Sequence, residues 1–192
     1  VGGTPLYLRC LRDGLDDFAP VDHALRHTLT DELKRLGPEA FHKKLAKGRP
    51  DLAAAIHPND SKRIIRAFEI MQTAGIDHKR SWTLADSPEK RLFPCPILVI
   101  DHPRTILNSQ INQRVEAMFE SGILEETEAA EEQYGFGTTA AQAAGYKESL
   151  AFIRGEITKQ EAISKTKQRT RQLAKRQRTW FRSFSDAVWL SA

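Results

Sequence analysis

The chain has 192 residues, 40% of them apolar, which suits one globular domain or a core carrying a smaller subdomain. Its 29 basic and 25 acidic residues leave a net charge of only +4, so any basic function rests on local clusters rather than on total charge. Cys10 and Cys95 stand far apart without a CxxC or histidine-rich partner, which argues against a zinc site and a disulfide framework. No apolar run approaches the roughly 18 residues that span a bilayer and no secretory leader pattern opens the chain, so a reducing cytoplasm is the expected compartment.

In chain order, TPLYLRCLRD places Leu6, Leu8 and Leu11 at a spacing that fits a short helix after the Gly2-Gly3 loop, with a strand as the alternative. Residues 22–47 read as two amphipathic helices broken at Gly37-Pro38, the first burying Leu25, Leu29, Leu33 and Leu36, the second Ala40, Phe41 and Leu45. The stretch RPDLAAAIHPNDSKRIIRAFEIMQTAG predicts a helix, a His57-Pro58-Asn59 turn and a second helix capped by Asp60 or Ser61. Ile64, Ile65, Phe68 and Met71 form its stripe and Gly75 its end; residues 76–94 read as a polar connection.

PCPILVID is the strongest strand signal, a continuous apolar run of the kind buried on both faces of a parallel sheet. Residues 101–128 carry a helical pattern that buries Leu107, Ile111, Val115, Met118 and Phe119 and ends at Gly122. A loop at Gly135, Gly137, Thr138 and Thr139 precedes a helix over 140–154, then a last long helix and a final strand in SDAVWL. These elements predict a helix-rich α/β fold whose sheet is partly present, with 1–15 and 93–192 as core and 16–92 as an inserted, all-helical subdomain.

The last helix carries Lys165, Lys167, Arg169, Arg171, Lys175, Arg176, Arg178 and Arg182 around its cylinder, with Thr166, Thr170, Leu173, Gln177 and Trp180 as the expected inner stripe. Glutamate is absent from Ala162 to Ser185. A solvated helix mixes in acids for i,i+4 pairs, whereas an acid-free one suits phosphate, which arginine grips bidentately. A nucleic-acid or pyrophosphate surface is the reading that composition favours over a merely solvated helix.

VGGTPLYL, HPNDSKRIIRAFEI, AAGYKES and TRQLAKRQRTWFR stand in the order and approximate spacing of one family. The chain resembles the bacterial-type tRNA dimethylallyltransferases over essentially its whole length. The resemblance implies a P-loop-NTPase-like core with a helical insertion. The implied reaction transfers a dimethylallyl group from its diphosphate to N6 of the adenosine 3′ of the anticodon, in tRNAs reading codons that begin with U. It further implies magnesium, the tRNA anticodon stem-loop as partner, a monomeric state and no membrane.

Carried over by motif, Thr4 matches the family's threonine beside the reacting amine, a catalytic residue that also contacts tRNA; without the family it would read as a helix cap. Arg26, then Lys62, Arg63, Ile64, Ile65 and Arg66, then Gln142, Gly145, Tyr146 and Lys147, then Lys175, Arg176, Gln177 and Arg178 match tRNA-contacting positions. The plain alternatives are a charged surface helix at 62–66 and core filling by Tyr146. Arg104, Arg114 and Arg176 are the candidates for the diphosphate.

The family's GxxxxGK[ST] loop and the Asp-Ser pair that follows it, whose aspartate is the expected general base, do not occur in these residues. Pro5 stands where the family has a flexible residue and Gln110 where arginine is common. The expectation is the carboxyl-terminal part of such an enzyme, the alternative a catalytically inactive RNA-binding remnant.

Overall fold

The computed structural model describes residues 2–14, 22–74, 92–93 and 95–192. The chain divides into two compact units, one of Val1–Arg12 with Leu92–Ala192, the other of Asp13–Arg91. The expected end of the fifth helix at Gly75 and most of the polar connection over 76–94 lie outside the described residues.

In the second unit, Asp22 opens α2 (His23–Leu36) by accepting from the Ala24 and Leu25 amides at 2.9 and 3.1 Å, which satisfies two of the orphan donors at a helix start. Gly37, at φ +80°, ends α2, and Pro38 then starts α3 (Pro38–Gly48) at the position where its missing N–H costs nothing. After α4 (Pro50–Ala55) the His57-Pro58-Asn59 turn closes with the Asp60 amide donating to His57 O at 2.8 Å. Asp60 caps α5 (Ser61–Ala74), its Oδ1 accepting from the Arg63 amide at 3.2 Å. Leu29, Phe41, Leu45, Leu52, Ile64 and Phe68 meet in one apolar cluster in which the Phe41 and Phe68 rings lie 4.7 Å apart. Ile65 and Met71, expected in the stripe, sit at its partly buried margin.

The first unit begins with α1 (Pro5–Asp13), a helix rather than a strand, started by Thr4 O accepting from the Tyr7 and Leu8 amides. Its orientation reverses the apolar-inside expectation: Arg9 and Arg12 are buried while Leu6 and Leu11 are exposed. The cause is an aromatic site for the cations. Both guanidinium carbons lie over the Phe184 ring, at 5.1 and 5.0 Å, and Arg12 also pairs with Asp186 at 2.9 Å. Arg12 O in turn accepts from the Leu92 and Phe93 amides, pinning the chain's return into this unit.

β1 (Leu98–Asp101) pairs in parallel with β2 (Val188–Ser191), Leu98 opposite Val188 and Asp101 opposite Ser191. Ile97 and Val99 pack on Phe184, but Leu98 and Ile100 are 61% and 67% exposed, so burial on both faces does not occur. The described residues supply one neighbouring strand and cover one face.

α6 (Arg104–Glu120) ends before Gly122, as expected. Gly122 then adopts a left-handed φ of +99° and starts a helix the hydrophobic pattern did not separate, α7 (Ile123–Tyr134). The helix expected over 140–154 is also broken. A 3-10 turn at Ala140–Gln142 and extended Ala143 lead to Gly145, at φ +98°, from which α8 (Tyr146–Ile153) departs. A Cβ at Gly145 would meet Ile123 Cδ1 at 3.0 Å, so close helix approach and backbone conformation both favour glycine.

Thr158 and Glu161 close a reciprocal capping box at the start of α9 (Lys159–Phe181). The Thr158 N–H and hydroxyl hold the Glu161 carboxyl below the usual range. Ala162 joins Ile111, Val115, Phe119, Ile123 and Leu124 in the core, with Ala174 packed against them. Leu173, expected inside, is instead 42% exposed. One residue turns the helix by about 100°, so seating Ala174 turns Leu173 outward.

Candidate nucleic-acid interface

The second unit positions the first group of candidate cations. On α5 the KRIIR run anchors through Ile64, which is fully buried, while Lys62 and Arg63 face out and Arg63 pairs with Asp60 at 3.3 Å. Ile64 therefore serves as an anchor and offers no side-chain surface. Arg26, exposed on α2, meets the buried Glu69 of α5 through two hydrogen bonds, and Arg66 donates to the same carboxylate. Burial pushes the Glu69 carboxyl up, and the two guanidiniums outweigh it, leaving the net shift downward. Glu69 raises the Arg26 pKa in return.

In the first unit α9 corrects the picture of a helix without acidic partners. Its partners come from other elements: Lys167 pairs with Glu116, Arg169 with Glu148 at 2.7 Å, and Arg178 with Asp101 at 2.7 Å. Arg171 donates to Asn112 Oδ1 at 2.6 Å. Among the described residues, Lys175, Arg176 and Arg182 have no acid within ion-pair distance, and Lys175 and Arg176 are exposed.

Between α8 and α9 lies a polar groove of about 500 Å³, lined by Lys147, Glu148, Lys165, Gln168, Arg169, Gln172 and Arg176. Glu148 organises it. Although 4% exposed, this carboxylate accepts from the Gly145 amide at 3.0 Å and holds Arg169. Lys147 donates to Gln142 Oε1 at 3.2 Å, which joins two of the candidate positions. Tyr146 packs its ring against Phe136, centroids 5.3 Å apart, and donates its hydroxyl to Glu126. That hydrogen bond raises the phenol pKa.

A second, apolar cleft of about 600 Å³ runs along β1, from Cys95 before the strand to His102 after it. Leu8, Leu11, Leu98, Ile100, Leu107 and Phe181 form its walls; Asp101, His102, Gln177 and Arg178 supply polar groups. Gln177 Nε2 donates to Gly3 O, and a Cβ on Gly3 would stand 2.8 Å from that nitrogen. Thr4, which starts α1, is thus one residue from the Gly3–Gln177 contact.

The structure separates the three diphosphate candidates. Arg176 lines the polar groove, while Arg104 and Arg114 are exposed on α6 and line neither groove nor cleft. Arg178 reaches the cleft because two residues rotate the helix by about 200°. The sequence reading also passed over Asp101, Glu148 and Glu69. For Glu69 a signal was present, an acid on an apolar helical stripe three residues after Arg66.

The IPP transferase family model matches residues 1–184. The chain belongs to the IPP transferase family. A tRNA dimethylallyltransferase of Exiguobacterium sp. is 39% identical over 99% of the chain and 60% of its own length. One from Desulforamulus reducens is 38% identical over 99% of the chain and 67% of its own length. Among solved structures, a eukaryotic dimethylallyltransferase described as acting on tRNA superposes with a TM-score of 0.74 at 28% identity, covering 99% of this chain and 50% of that one. The Bacillus halodurans tRNA isopentenylpyrophosphate transferase gives a TM-score of 0.59 at 32% identity, covering 97% and 57%. This IPP transferase chain therefore spans about three fifths of its relatives' length. Its helix-rich fold with a small parallel sheet is similar to the matching part of theirs.

Proposed function

We propose that this chain carries the RNA-binding and substrate-orienting part of a transferase moving a dimethylallyl group from its diphosphate to N6 of the adenosine 3′ of the anticodon, in tRNAs reading codons that begin with U. The observation that carries the reading is the division of labour on α9. Gln177 and Arg178 turn into the apolar cleft beside Thr4, while Arg176 and Lys165 turn into the polar groove. An apolar cleft edged by a guanidinium suits a prenyl tail joined to a diphosphate. A groove with exposed cations suits an RNA backbone, where phosphate contacts position the molecule and do not read its bases.

Under this reading Thr4 orients the reacting amine, Arg178 faces the diphosphate, and the 142–147 and 175–178 segments hold the anticodon arm. Arg26 and 62–66 make further RNA contacts from the helical unit. The protein acts as a monomer in the cytoplasm; no described helix is long and apolar enough to cross a membrane.

Magnesium is the ion expected with the diphosphate. No group of three or more His, Cys, Asp or Glu among the described residues is placed to hold a metal ion, and Asp101 is engaged by Arg178.

Incubation with dimethylallyl diphosphate, magnesium and an unmodified tRNA, followed by mass analysis of the nucleosides, tests the proposal. A prenyl mass gain on the adenosine next to the anticodon supports transfer by this chain. Salt-dependent tRNA binding without the gain would leave the noncatalytic RNA-binding alternative.

A further inference from the structure

At the start of α8 lies a buried carboxylate whose capping role could be met from solvent. Glu148 is 4% exposed, and its Oε2 accepts from the Gly145 amide at 3.0 Å. Glu161 makes the equivalent cap at the start of α9, accepting from the Thr158 amide at 2.8 Å, and it is exposed. Capping therefore does not account for the burial of Glu148. Taking a carboxylate out of water is costly, and the group that offsets it comes from the facing helix: Arg169 Nε stands 2.7 Å from Glu148 Oε1.

Arg169 is held at a second point. Its Nη1 reaches the Gln142 carbonyl oxygen at 3.4 Å, which fixes the guanidinium between α8 and the turn before it. Nη2 has no acceptor among the described residues, and the side chain is 32% exposed. Lys165, Arg169, Gln172 and Arg176 follow one another at intervals of three and four residues, a stripe of α9 roughly 16 Å long that lines the polar groove. Four cations line that groove, these three and Lys147, against two acids, Glu148 and Glu156. Arg169 sits in the middle of the stripe, and it alone of the three α9 cations is tied to an acid among the described residues.

We propose that Glu148 is a positioning residue that presets Arg169 to grip one phosphate of an RNA backbone laid in the groove, a role that rests on reading this groove as an RNA site. A free arginine loses rotamer freedom when it grips a phosphate; a guanidinium already fixed by a buried carboxylate loses less. Lys165 and Arg176 adapt to the backbone on either side, while Arg169 sets its register.

Glu148→Gln separates positioning from bulk charge by the sign of its effect. The substitution removes a negative charge from the groove, so electrostatic attraction alone predicts tighter RNA binding. Positioning predicts weaker binding, by about tenfold, the scale of one charge-assisted hydrogen bond. Repeating the substitution in an Arg169→Ala background separates positioning from the cap. If Glu148 acts through Arg169, its removal weakens binding no further once Arg169 is gone; if it acts through the start of α8, the loss is the same in both backgrounds.

The measurement is the affinity of the chain for a synthetic anticodon stem-loop RNA over a salt series, made below each variant's melting transition. A loss by Glu148→Gln that disappears in the Arg169→Ala background supports the role. An equal loss in both backgrounds, or unchanged or tighter binding by Glu148→Gln alone, overturns it. Should Glu148→Gln not fold, Arg169→Lys decides: it keeps the charge but lacks the fork, so a loss close to that of Arg169→Ala supports the role and unchanged affinity overturns it. If Lys165→Ala/Arg176→Ala and Arg169→Ala all leave affinity and salt slope unchanged, the RNA reading of the groove fails and the positioning role with it. If the double variant weakens binding and Arg169→Ala does not, only the positioning role fails.

Discussion

Arg178 Nη2 lies 2.7 Å from Asp101 Oδ2, which ties the basic helix α9 to the carboxyl end of β1. The preceding residue, Gln177, reaches back to Gly3 beside Thr4. Two adjacent side chains of one helix thus join the start of the chain, the sheet and the cleft. In a helix without acids after Glu161 this pairing matters, because it sets one cation at a fixed place while Lys175 and Arg176 stay exposed.

Asp101→Asn keeps the shape of that contact and removes its charge. Both partners are about one-third exposed, so the stability loss should be small, about 1 kcal/mol or less in urea unfolding. A loss of several kcal/mol would show that the pair carries the fold rather than the site.

Phe41→Ala empties a fully buried position against Phe68 in the helical unit. The expected destabilisation is about 3–5 kcal/mol, read as a lower denaturant midpoint of that unit.

Gly145→Ala forces a Cβ to within 3.0 Å of Ile123 Cδ1 on a backbone at φ +98°. The α8 start should be destabilised by about 1–3 kcal/mol, with lower amide exchange protection over 145–149.

Glu69 adds a pH dependence. Its folded-state pKa lies below the unfolded value, so the stabilisation is fully present above the ordinary glutamate pKa and is lost as pH falls through the depressed one. Asp51, held at about 2 by the Arg49 hydrogen bond, acts in the same direction between the ordinary aspartate value of 3.8 and that value. Thermal melts from pH 6 downward should fall in this acid window, and the Glu69→Gln melt should be flatter.

Much of the local structure was legible because it depends on neighbours in sequence. The Gly37-Pro38 break and the Asp60 cap follow from turn and capping chemistry and appear where that chemistry puts them, and the short strand read in SDAVWL is present as β2. What escaped depends on distant partners. Arg9 and Arg12 turn inward because Phe184 and Asp186, more than 170 positions away, receive them. The basic stretch of α9 after Glu161 looked unpaired because Glu116, Glu148 and Asp101 lie on other elements. No spacing rule within α9 reveals Glu148 as the residue that both caps α8 and holds Arg169.

The central claim is that the exposed cations of α9 hold an anticodon arm, and binding of an unmodified anticodon stem-loop RNA by the wild-type chain and by Lys175→Ala/Arg176→Ala tests it most directly. Wild-type affinity should fall steeply with salt, and the double variant should bind about tenfold more weakly with a salt slope shallower by about 1–2. Equal affinity and an equal slope for the two proteins would contradict the account.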